Sequence, residues 1–345
     1  MRSRGDDVVG AGRGDHGTKF EGQTHRIGPV RLRSPTVIVV CGEALIDLTS
    51  SRMEAGRFDA HPGGGPCNTA VGLGRLGIST GFLGRLSTDR FGASLRHHLA
   101  AAMVDLSMVT DTDDLSTLAV ANIDVSGGAA YTFYANGTAD PGLTAEMLLP
   151  LGQTVRALHM GTCSLAFEPS GSTLEALFLR ERVDGTRFLA LDPNVRLGLV
   201  SDLDAYRGRI ERMIASADLV KVSDADIEAL WPGDDVIERV TFLAGSGPGV
   251  IVLTRGGESL LGFRDNGVTV SVPAEKIEVV DTIGAGDTAN AAMLAWLSNH
   301  NALSRPALAA LTEDHVADML RFAARAAAIT CSRAGANPPW ASELV

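Results

Sequence analysis

The chain has 345 residues, of which 45% are hydrophobic and 21% are charged, and its formal net charge at pH 7 is −11. This size and composition predict a sizeable core, arranged as one large α/β domain or two smaller ones. The negative charge argues against a nucleic-acid or membrane-surface partner held by bulk electrostatics, and no apolar run has the length of a transmembrane helix.

The first 34 residues are rich in glycine, arginine and aspartate and lack the apolar region of a secretory signal. We expect residues 1–34 to be a disordered extension and residues 35–345 to be the folded domain. The four cysteines form no C-x-x-C pair, and the eight histidines show no metal-ligand spacing. This pattern predicts reduced thiols in a cytoplasmic protein and no metal cage built by the protein itself.

Apolar runs alternate with stretches of helical periodicity along the folded domain. In chain order we predict a strand at 37–41, a helix at 68–76, a strand at 81–86, a helix at 91–103, a strand at 157–160, a helix at 172–182, a strand at 188–191, a helix at 206–215, strands at 219–222 and 250–253, and helices at 287–299 and 313–331. This alternation predicts an α/β fold with a doubly wound, mainly parallel sheet, in which ligands bind at the carboxyl ends of the strands.

Two further segments have the pattern of β-hairpins. Residues 118–124 and 131–134 alternate apolar and polar side chains around a Ser-Gly-Gly turn, so one face of this hairpin can contact water. We expect it to project from the sheet as a small lid. Residues 260–264 and 268–272 flank an Asp-Asn-Gly turn and predict a second hairpin.

Residues 281–288, Asp-Thr-Ile-Gly-Ala-Gly-Asp-Thr, place two glycines and an acid at the expected start of a helix. Gly284 and Gly286 let several backbone N–H groups point at one spot, and the helix N terminus adds partial positive charge there. Asp287 adds a carboxylate that can take a proton. An anion cradle beside a base is what phosphoryl transfer to a hydroxyl group requires. The alternative is a loop in which Asp287 or Thr288 only caps the helix.

A second glycine cluster, Gly-Gly-Gly-Pro-Cys-Asn at residues 63–68, follows the motif Gly-Glu-Ala-Leu-Ile-Asp at 42–47. Gly64 and Gly65 let the main chain pass close to a ligand, and Asn68 can donate and accept hydrogen bonds. Asp47 can accept hydrogen bonds from two hydroxyl groups at once. These residues suit a polyhydroxylated ligand; the alternative is an ordinary turn with an asparagine cap.

Three other segments follow predicted strands and offer polar groups. Arg196, in Asp-Pro-Asn-Val-Arg, can hold a substrate oxygen or lie on the surface. Asp226, in Lys-Val-Ser-Asp-Ala-Asp, can also complement a helix dipole. Thr254 and Gly256, in Thr-Arg-Gly-Gly, can border a nucleotide or form a simple turn.

Several other kinds of nucleotide site are disfavoured. Residues 72–77 match G-x-G-x-x-G, but a helical stretch precedes them and no acid follows at the spacing of about 20 residues that a dinucleotide site needs. The hypothesis that the chain is an oxidoreductase therefore rests on this match alone. The chain contains no P-loop and no protein-kinase signature. If it transfers phosphate, residues 281–288 are the remaining candidate site.

On these motifs the chain resembles the ribokinase-like (PfkB) sugar kinases, and within them the bacterial fructokinases. The resemblance runs from about residue 37 to the C terminus, and the two family signatures are matched at 63–77 and 281–290. The other segments that are similar to fructokinases are 133–140, 192–194 and 331–336.

The resemblance implies an ATP-dependent kinase that phosphorylates a primary hydroxyl group of a small sugar, with fructose as the expected substrate. Asp287 would take the proton from this hydroxyl. The residues whose N–H groups would hold the transferring phosphate are Gly284, Ala285 and Gly286. The residues that would hold the sugar are Asp47, Gly64, Gly65, Asn68 and Arg196. Thr254 and Gly256 would line the nucleotide site.

The resemblance also implies that Mg²⁺ is carried mainly by the nucleotide and supported by Asp226 through water; K⁺ is a further candidate cofactor. Residues 49–60 and 116–136 would form a lid that excludes water, and the lid could pair with that of a second copy.

Two alternatives stay open. A 2-keto-3-deoxygluconate kinase would need another cation beside Arg196 for the substrate carboxylate. A non-catalytic sugar-binding regulator would have no use for the carboxylate of Asp287.

Overall fold

The computed structural model describes residues 37–50, 56–123, 129–264 and 267–344. The extension predicted at residues 1–34 lies outside the described residues. The strands, in chain order, are β1 (Val37–Cys41), β2 (Leu45–Ser50), β3 (Phe58–Gly63), β4 (Thr80–Ser87), β5 (Asp105–Thr112), β6 (Leu118–Ile123), β7 (Ala129–Tyr134), β8 (Val155–Gly161), β9 (Phe188–Asp192), β10 (Leu219–Ser223), β11 (Val250–Thr254), β12 (Ser259–Arg264) and β13 (Gly267–Pro273). The α-helices are α1 (Gly65–Arg75), α2 (Arg90–Ala101), α3 (Ser170–Asp184), α4 (Leu203–Ser216), α5 (Asp224–Leu230), α6 (Val236–Ala244), α7 (Ala285–Asn299), α8 (Arg305–Ala309) and α9 (Glu313–Cys331).

The main sheet has nine strands in the described part of the chain, in the order β13-β12-β11-β10-β9-β8-β1-β4-β5. The pairings from β11 across to β5 are parallel, and β12 and β13 extend the sheet as an antiparallel hairpin. The predicted α/β class with a mainly parallel sheet is confirmed. The hairpin predicted at 260–272 is β12–β13.

β1 shows how this sheet is buried on both faces. Ile38 and Val40 pack into an apolar cluster with residues of α1, α7 and α9, whereas Val39 and Cys41 pack into the opposite cluster with residues of α3 and α4. Successive side chains of a strand point to opposite faces, so a strand between two helical layers is apolar throughout. Each fully buried aliphatic side chain of this kind contributes about 1.5–3 kcal/mol.

A small sheet of four strands, in the order β3-β2-β6-β7, stands apart from the main one. β2 pairs with β3 and β6 with β7 in antiparallel fashion, whereas β2 and β6 run parallel. The hairpin predicted at 118–134 is therefore present, and its turn at 124–128 lies outside the described residues. Both segments that we expect to form the lid belong to this sheet.

Sequence patterns miss several elements. β5 is an edge strand with a largely half-exposed, polar sequence, so it lacks the continuous apolar run that marks β1. The short helices α6 and α8 are also absent from the prediction, whereas the acidic start of α5 falls in the segment 221–226 where a helix is expected to begin. The helix predicted at 91–103 ends at Ala101, because Met103 adopts a left-handed backbone conformation with φ 62°. No helix in the described ranges is both long and apolar enough to cross a membrane.

Candidate active site

A cavity of about 790 Å³ opens between the small sheet and the carboxyl ends of the main strands. β2 and β7 provide one wall, and the segments after β8 and β9 together with the start of α7 provide the other. The predicted site residues that line this cavity are Asp47, Gly64, Gly65, Asn68, Arg196, Gly284, Gly286 and Asp287. Two motifs more than 200 residues apart in the sequence thus meet in one place, since Asn68 hydrogen-bonds Asp287 across a separation of 219 residues.

Asp287 lies in the first turn of α7 and is only 7% exposed. Its Oδ2 accepts a hydrogen bond from Asn68 Nδ2 at 2.9 Å. Burial raises the pKa of Asp287 to about 6; the Asn68 hydrogen bond opposes this shift and the charge of Asp192 adds to it. A carboxyl group with a pKa near the working pH is suited to general-base catalysis.

The loop before α7 leaves backbone N–H groups available. Gly284 has a left-handed conformation with φ 78°, and a Cβ there would lie 2.6 Å from the Cβ of Ala336. The N–H groups of Gly284, Gly286 and Asp287 have no hydrogen-bond partner among the described residues, whereas that of Ala285 donates to Thr282 O at a long 3.3 Å. Unpaired N–H groups at a helix N terminus attract anions.

Asp281 holds this loop in place. Its carboxylate accepts hydrogen bonds from the N–H of Ile283 at 3.0 Å and from the N–H of Gly335 at 2.9 Å. The loop is thereby tied to the segment around Gly335, which also lines the cavity.

Lys221 is a functional candidate that the sequence analysis did not select. A Cβ on Gly286 would lie 3.0 Å from Lys221 Nζ, so this ammonium group is adjacent to the unpaired N–H groups. Lys221 is buried in an ion pair with Asp192 at 3.0 Å, and Asp192 also accepts a hydrogen bond from Asn290 Nδ2 at 2.6 Å. Burial lowers the pKa of Lys221, but the charges of Asp192, Asp226 and Asp287 together outweigh this and raise the pKa, which keeps the ammonium charged.

Asp47 on β2 and Arg196 after β9 lie on different walls of the cavity, and their charges interact across it. Burial, together with the charge of Asp287, raises the pKa of Asp47 to about 7, and Arg196 opposes this shift. The side chain of Asp47 packs against the main chain of Gly63, where a Cβ would lie 2.0 Å from Asp47 Oδ2 and would displace the carboxylate. Arg196 Nη1 donates to the carbonyl oxygens of Asn194 at 3.2 Å and Val195 at 3.0 Å.

Asp226 does not line the cavity. Its carboxylate accepts hydrogen bonds from Val195 N at 2.7 Å, Ser223 N at 2.8 Å and Ser223 Oγ at 2.7 Å, and it caps α5. The contact with Val195 fixes the segment that carries Arg196. Among the described residues, no group of three His, Cys, Asp or Glu side chains could hold a metal ion.

Thr254 and Gly256 also lie outside the lining of the cavity. Thr254 ends β11 and donates to Val222 O at 3.3 Å, and Gly256 occupies the following turn with φ 50°. Two apolar residues that the sequence analysis passed over, Val279 and Val280, line the cavity instead and are 59% and 60% exposed.

The known proteins that this chain resembles are carbohydrate kinases. A sequence model described as pfkB family carbohydrate kinase matches residues 36–343. The fructokinase of Rhizobium leguminosarum bv. trifolii is 40% identical over 280 residues, which cover 80% of this chain and 84% of that protein. The structure of a Xylella fastidiosa fructokinase with bound ATP superimposes with a TM-score of 0.82 and 24% identity, and the match covers 90% of this chain and 97% of that one. A double mutant of the fructokinase from Vibrio cholerae O395, solved with fructose, ADP and a potassium ion, gives 0.77 at 24% identity over 87% and 94% of the two chains.

Proposed function

The chain belongs to the PfkB family of carbohydrate kinases, and we propose that it transfers the terminal phosphoryl group of ATP to a primary hydroxyl group of fructose. The observation that carries this proposal is the position of Asp287, a buried carboxyl with a pKa of about 6 at the first turn of α7. It lies beside unpaired N–H groups and faces the same cavity as Asp47 and Arg196. The fructokinase that is 40% identical supports fructose as the sugar.

In the proposed reaction, the carboxylate of Asp287 takes the proton of the sugar hydroxyl as its oxygen attacks the terminal phosphorus of ATP. The bond to ADP breaks, and the transferring group passes over the N–H groups of Gly284, Gly286 and Asp287. Ala285 can join them by giving up its long hydrogen bond to Thr282. The Lys221 ammonium adds positive charge at the same place. Donors that are fixed before the reaction stabilise the charge of the transition state without reorganisation.

Asp47, Gly64, Gly65, Asn68 and Arg196 hold the sugar in this proposal. Carboxylate and amide groups can accept hydrogen bonds from several hydroxyls of one sugar. A carboxylate substrate such as 2-keto-3-deoxygluconate is disfavoured. Of the Arg and Lys side chains that line the cavity within the described residues, Lys221 is already paired with Asp192 and only Arg196 remains.

ATP would bring Mg²⁺ with it, since Mg²⁺ is usually held by phosphate oxygens and few protein groups. Asp226 does not line the cavity, so any support that it gives to Mg²⁺ would pass through water. We propose that Val279 and Val280 contact the apolar faces of the nucleotide, with Thr254 and Gly256 at its margin. K⁺ would bind near the carboxylate of Asp281, where it would stabilise the phosphate loop.

The small sheet is proposed to act as a lid. Tyr131 and Phe133 of β7 stack at 6.1 Å between ring centroids and line the cavity from above. Closure of such a lid would exclude water and limit hydrolysis of ATP. β3 and β7 form the edges of this sheet and carry the exposed Phe58 and Tyr134, so a homodimer through the lid is the expected assembly.

We also propose a cytoplasmic location. All four cysteines are free thiols in the structure, as in proteins of a reducing compartment. The proposed co-substrate, ATP, is supplied in the same compartment.

The test is an ADP-release assay over fructose, other hexoses, ribose, nucleosides, aminoimidazole riboside and 2-keto-3-deoxygluconate. Fructose should give the highest kcat/KM, and Asp287→Asn serves as the control for contaminating kinases. A higher kcat/KM with another compound would overturn the substrate. Sugar binding without ADP release from any compound would favour a non-catalytic regulator instead.

A further inference from the structure

Glu43 is a buried carboxyl group that the proposed reaction does not use. We propose that it is a positioning residue for the sugar side of the active site, which clamps the turn at residues 162–164 against the glycine loop before α1. This role rests on the proposed function, because it concerns how the same cavity binds its sugar.

The first support is the bonding of Glu43 itself. Its side chain is completely buried, and its Oε2 accepts hydrogen bonds from both the N–H of Ser164, at 3.0 Å, and the Ser164 hydroxyl. Its Oε1 has no partner among the described residues, and no Arg or Lys of the described ranges forms an ion pair with it. Burying an acid with one oxygen unpaired costs free energy that its two hydrogen bonds offset only in part. A buried acid of this kind is therefore a candidate for a positioning role.

What the clamp maintains is an unusual backbone conformation at Thr162. This residue has φ 60°, a left-handed conformation that β-branched residues rarely adopt. Ser164 follows only two residues later in the same short turn. Two hydrogen bonds from Ser164 to one carboxyl oxygen therefore hold the turn in a form that its own sequence disfavours.

The turn at residues 162–164 also shapes the sugar side of the cavity. A Cβ on Gly65 would lie 2.6 Å from Thr162 Cγ2 and 3.2 Å from Asp287 Oδ1, so Thr162 packs directly on the main chain beside the proposed base. A Cβ on Gly64 would lie 3.2 Å from Glu43 Cγ, so Glu43 also supports the other predicted sugar-binding glycine. Thr162 and Cys163 both line the cavity.

The contacts of Glu43 are with the sugar side and not with the phosphate loop. Its neighbours are Gly64 and Ser164, whereas the proposed phosphate site is formed by the start of α7 and Lys221. Loss of the clamp should therefore weaken sugar binding much more than ATP binding.

The experiment compares Glu43→Ala with Glu43→Gln and with the control Asp218→Asn, a carboxyl that is equally buried at the other end of the sheet. For Glu43→Ala we expect the KM for fructose to rise by at least about tenfold while the KM for ATP changes by less than about twofold. Gln keeps an acceptor oxygen for Ser164, so Glu43→Gln should restore the KM for fructose to within about threefold. Asp218→Asn should change neither KM. Equal changes in both KM values, or no rescue by Gln, would overturn the proposal.

A second measurement is independent of the substrate. In the ligand-free protein, the amide hydrogen of Ser164 should exchange faster in Glu43→Ala than in the wild type, and not in Asp218→Asn. Unchanged exchange at Ser164 would refute the clamp even if fructose proved to be the wrong sugar. Faster exchange in a protein that phosphorylates no sugar would support the clamp and refute the proposed function.

Discussion

The two ends of the main sheet both bury acidic side chains, but they treat them in opposite ways. At the amino ends of the strands, Asp218 pairs with Arg182 at 3.2 Å and Arg305 at 2.8 Å, and it also accepts from Leu189 N at 2.9 Å. In the cavity at the carboxyl ends, Asp192 is paired with Lys221. Asp287 at the start of α7 and Asp47 on β2 form no ion pair among the described residues, and burial raises their pKa values to about 6 and 7.

This difference distinguishes an acid that supports the fold from the proposed functional acids. Asp218 is held by two arginines, whereas a carboxyl group buried without such partners has a raised pKa and is suited to exchange a proton. Burial and a missing counter-charge do not identify the proposed site by themselves, since Glu43 has both and takes no part in the proposed reaction. Asp287 differs from Glu43 because it also lies beside the unpaired N–H groups at the start of α7.

The largest expected effect is on turnover, and it tests whether Asp287 and Asp218 differ in role. Asp287→Asn should lower kcat by about 10²–10⁴, because an amide cannot take the proton of the sugar hydroxyl. Asp218→Asn should keep kcat within about twofold of the wild type, because Asp218 is remote from the reaction. The ADP-release assay measures both. Similar losses in the two variants would mean that the acids do not differ in role.

The next effect concerns sugar affinity. Asp47→Ala should raise the KM for fructose by about 30-fold, equivalent to about 2 kcal/mol for lost hydrogen bonds to a charged group. The KM for ATP should change much less, since Asp47 lies on β2 and the proposed phosphate site is formed by the start of α7 and Lys221. Equal changes in the two KM values would place Asp47 outside the sugar site.

The pH dependence sharpens the comparison further. Only the ionised form of Asp287 can act as base, and the pKa of its carboxyl is raised to about 6. We expect kcat at saturating fructose to fall about tenfold per pH unit below this pKa. The KM for fructose should respond near pH 7 instead, where the carboxyl group of Asp47 titrates. Asp218→Asn should leave this acidic limb unmoved. A profile that is flat from pH 7 down to about 4.5 would contradict a base of raised pKa.

The smallest effect is on stability, and here the two ends should differ in sign. The pKa of Asp287 is higher in the folded protein than in the unfolded chain, so its ionised form at pH 8 destabilises the fold. Asp287→Asn should therefore stabilise the protein at pH 8 by about 1–3 kcal/mol, a gain that shrinks as the pH falls from about 6 towards 4.

Asp218→Asn should destabilise by about 1–3 kcal/mol, a value reduced because Arg182 and Arg305 are partly exposed. Thermal unfolding of both variants at pH 8 and pH 5 measures the difference. Destabilisation by both variants at pH 8 would show that Asp287 is a structural acid like Asp218.

The sequence predicts the buried strands of the main sheet well, and it predicts the edge strand β5 and the cavity strand β2 less well. Strands such as β1 and β11 are buried on both faces, so their continuous apolar runs identify them directly. β5 is a half-exposed edge strand and lacks this signal. β2 carries Asp47 towards the cavity, and the functional residue interrupts the apolar pattern that would have marked the strand.

Some residues of the candidate site are likewise predicted by sequence motifs, and others are not. Asp287 and Asn68 lie in glycine-rich motifs that the sequence displays, and the structure joins them. No motif in the sequence indicates a role for Lys221, because its partner Asp192 is distant in the sequence and only the sheet register brings the two together. The role of Thr162 depends on its left-handed backbone conformation. The residue types around Thr162 do not predict this conformation.

The most direct test of the account follows the chemical step of Asp287→Asn in a single turnover, together with the binding of fructose measured by calorimetry. The account predicts that fructose binds with a Kd within about threefold of the wild type while the chemical step slows at least about 100-fold. A chemical step at the wild-type rate would contradict Asp287 as the base. An equal loss of binding and rate would reduce Asp287 to a residue that only shapes the sugar site.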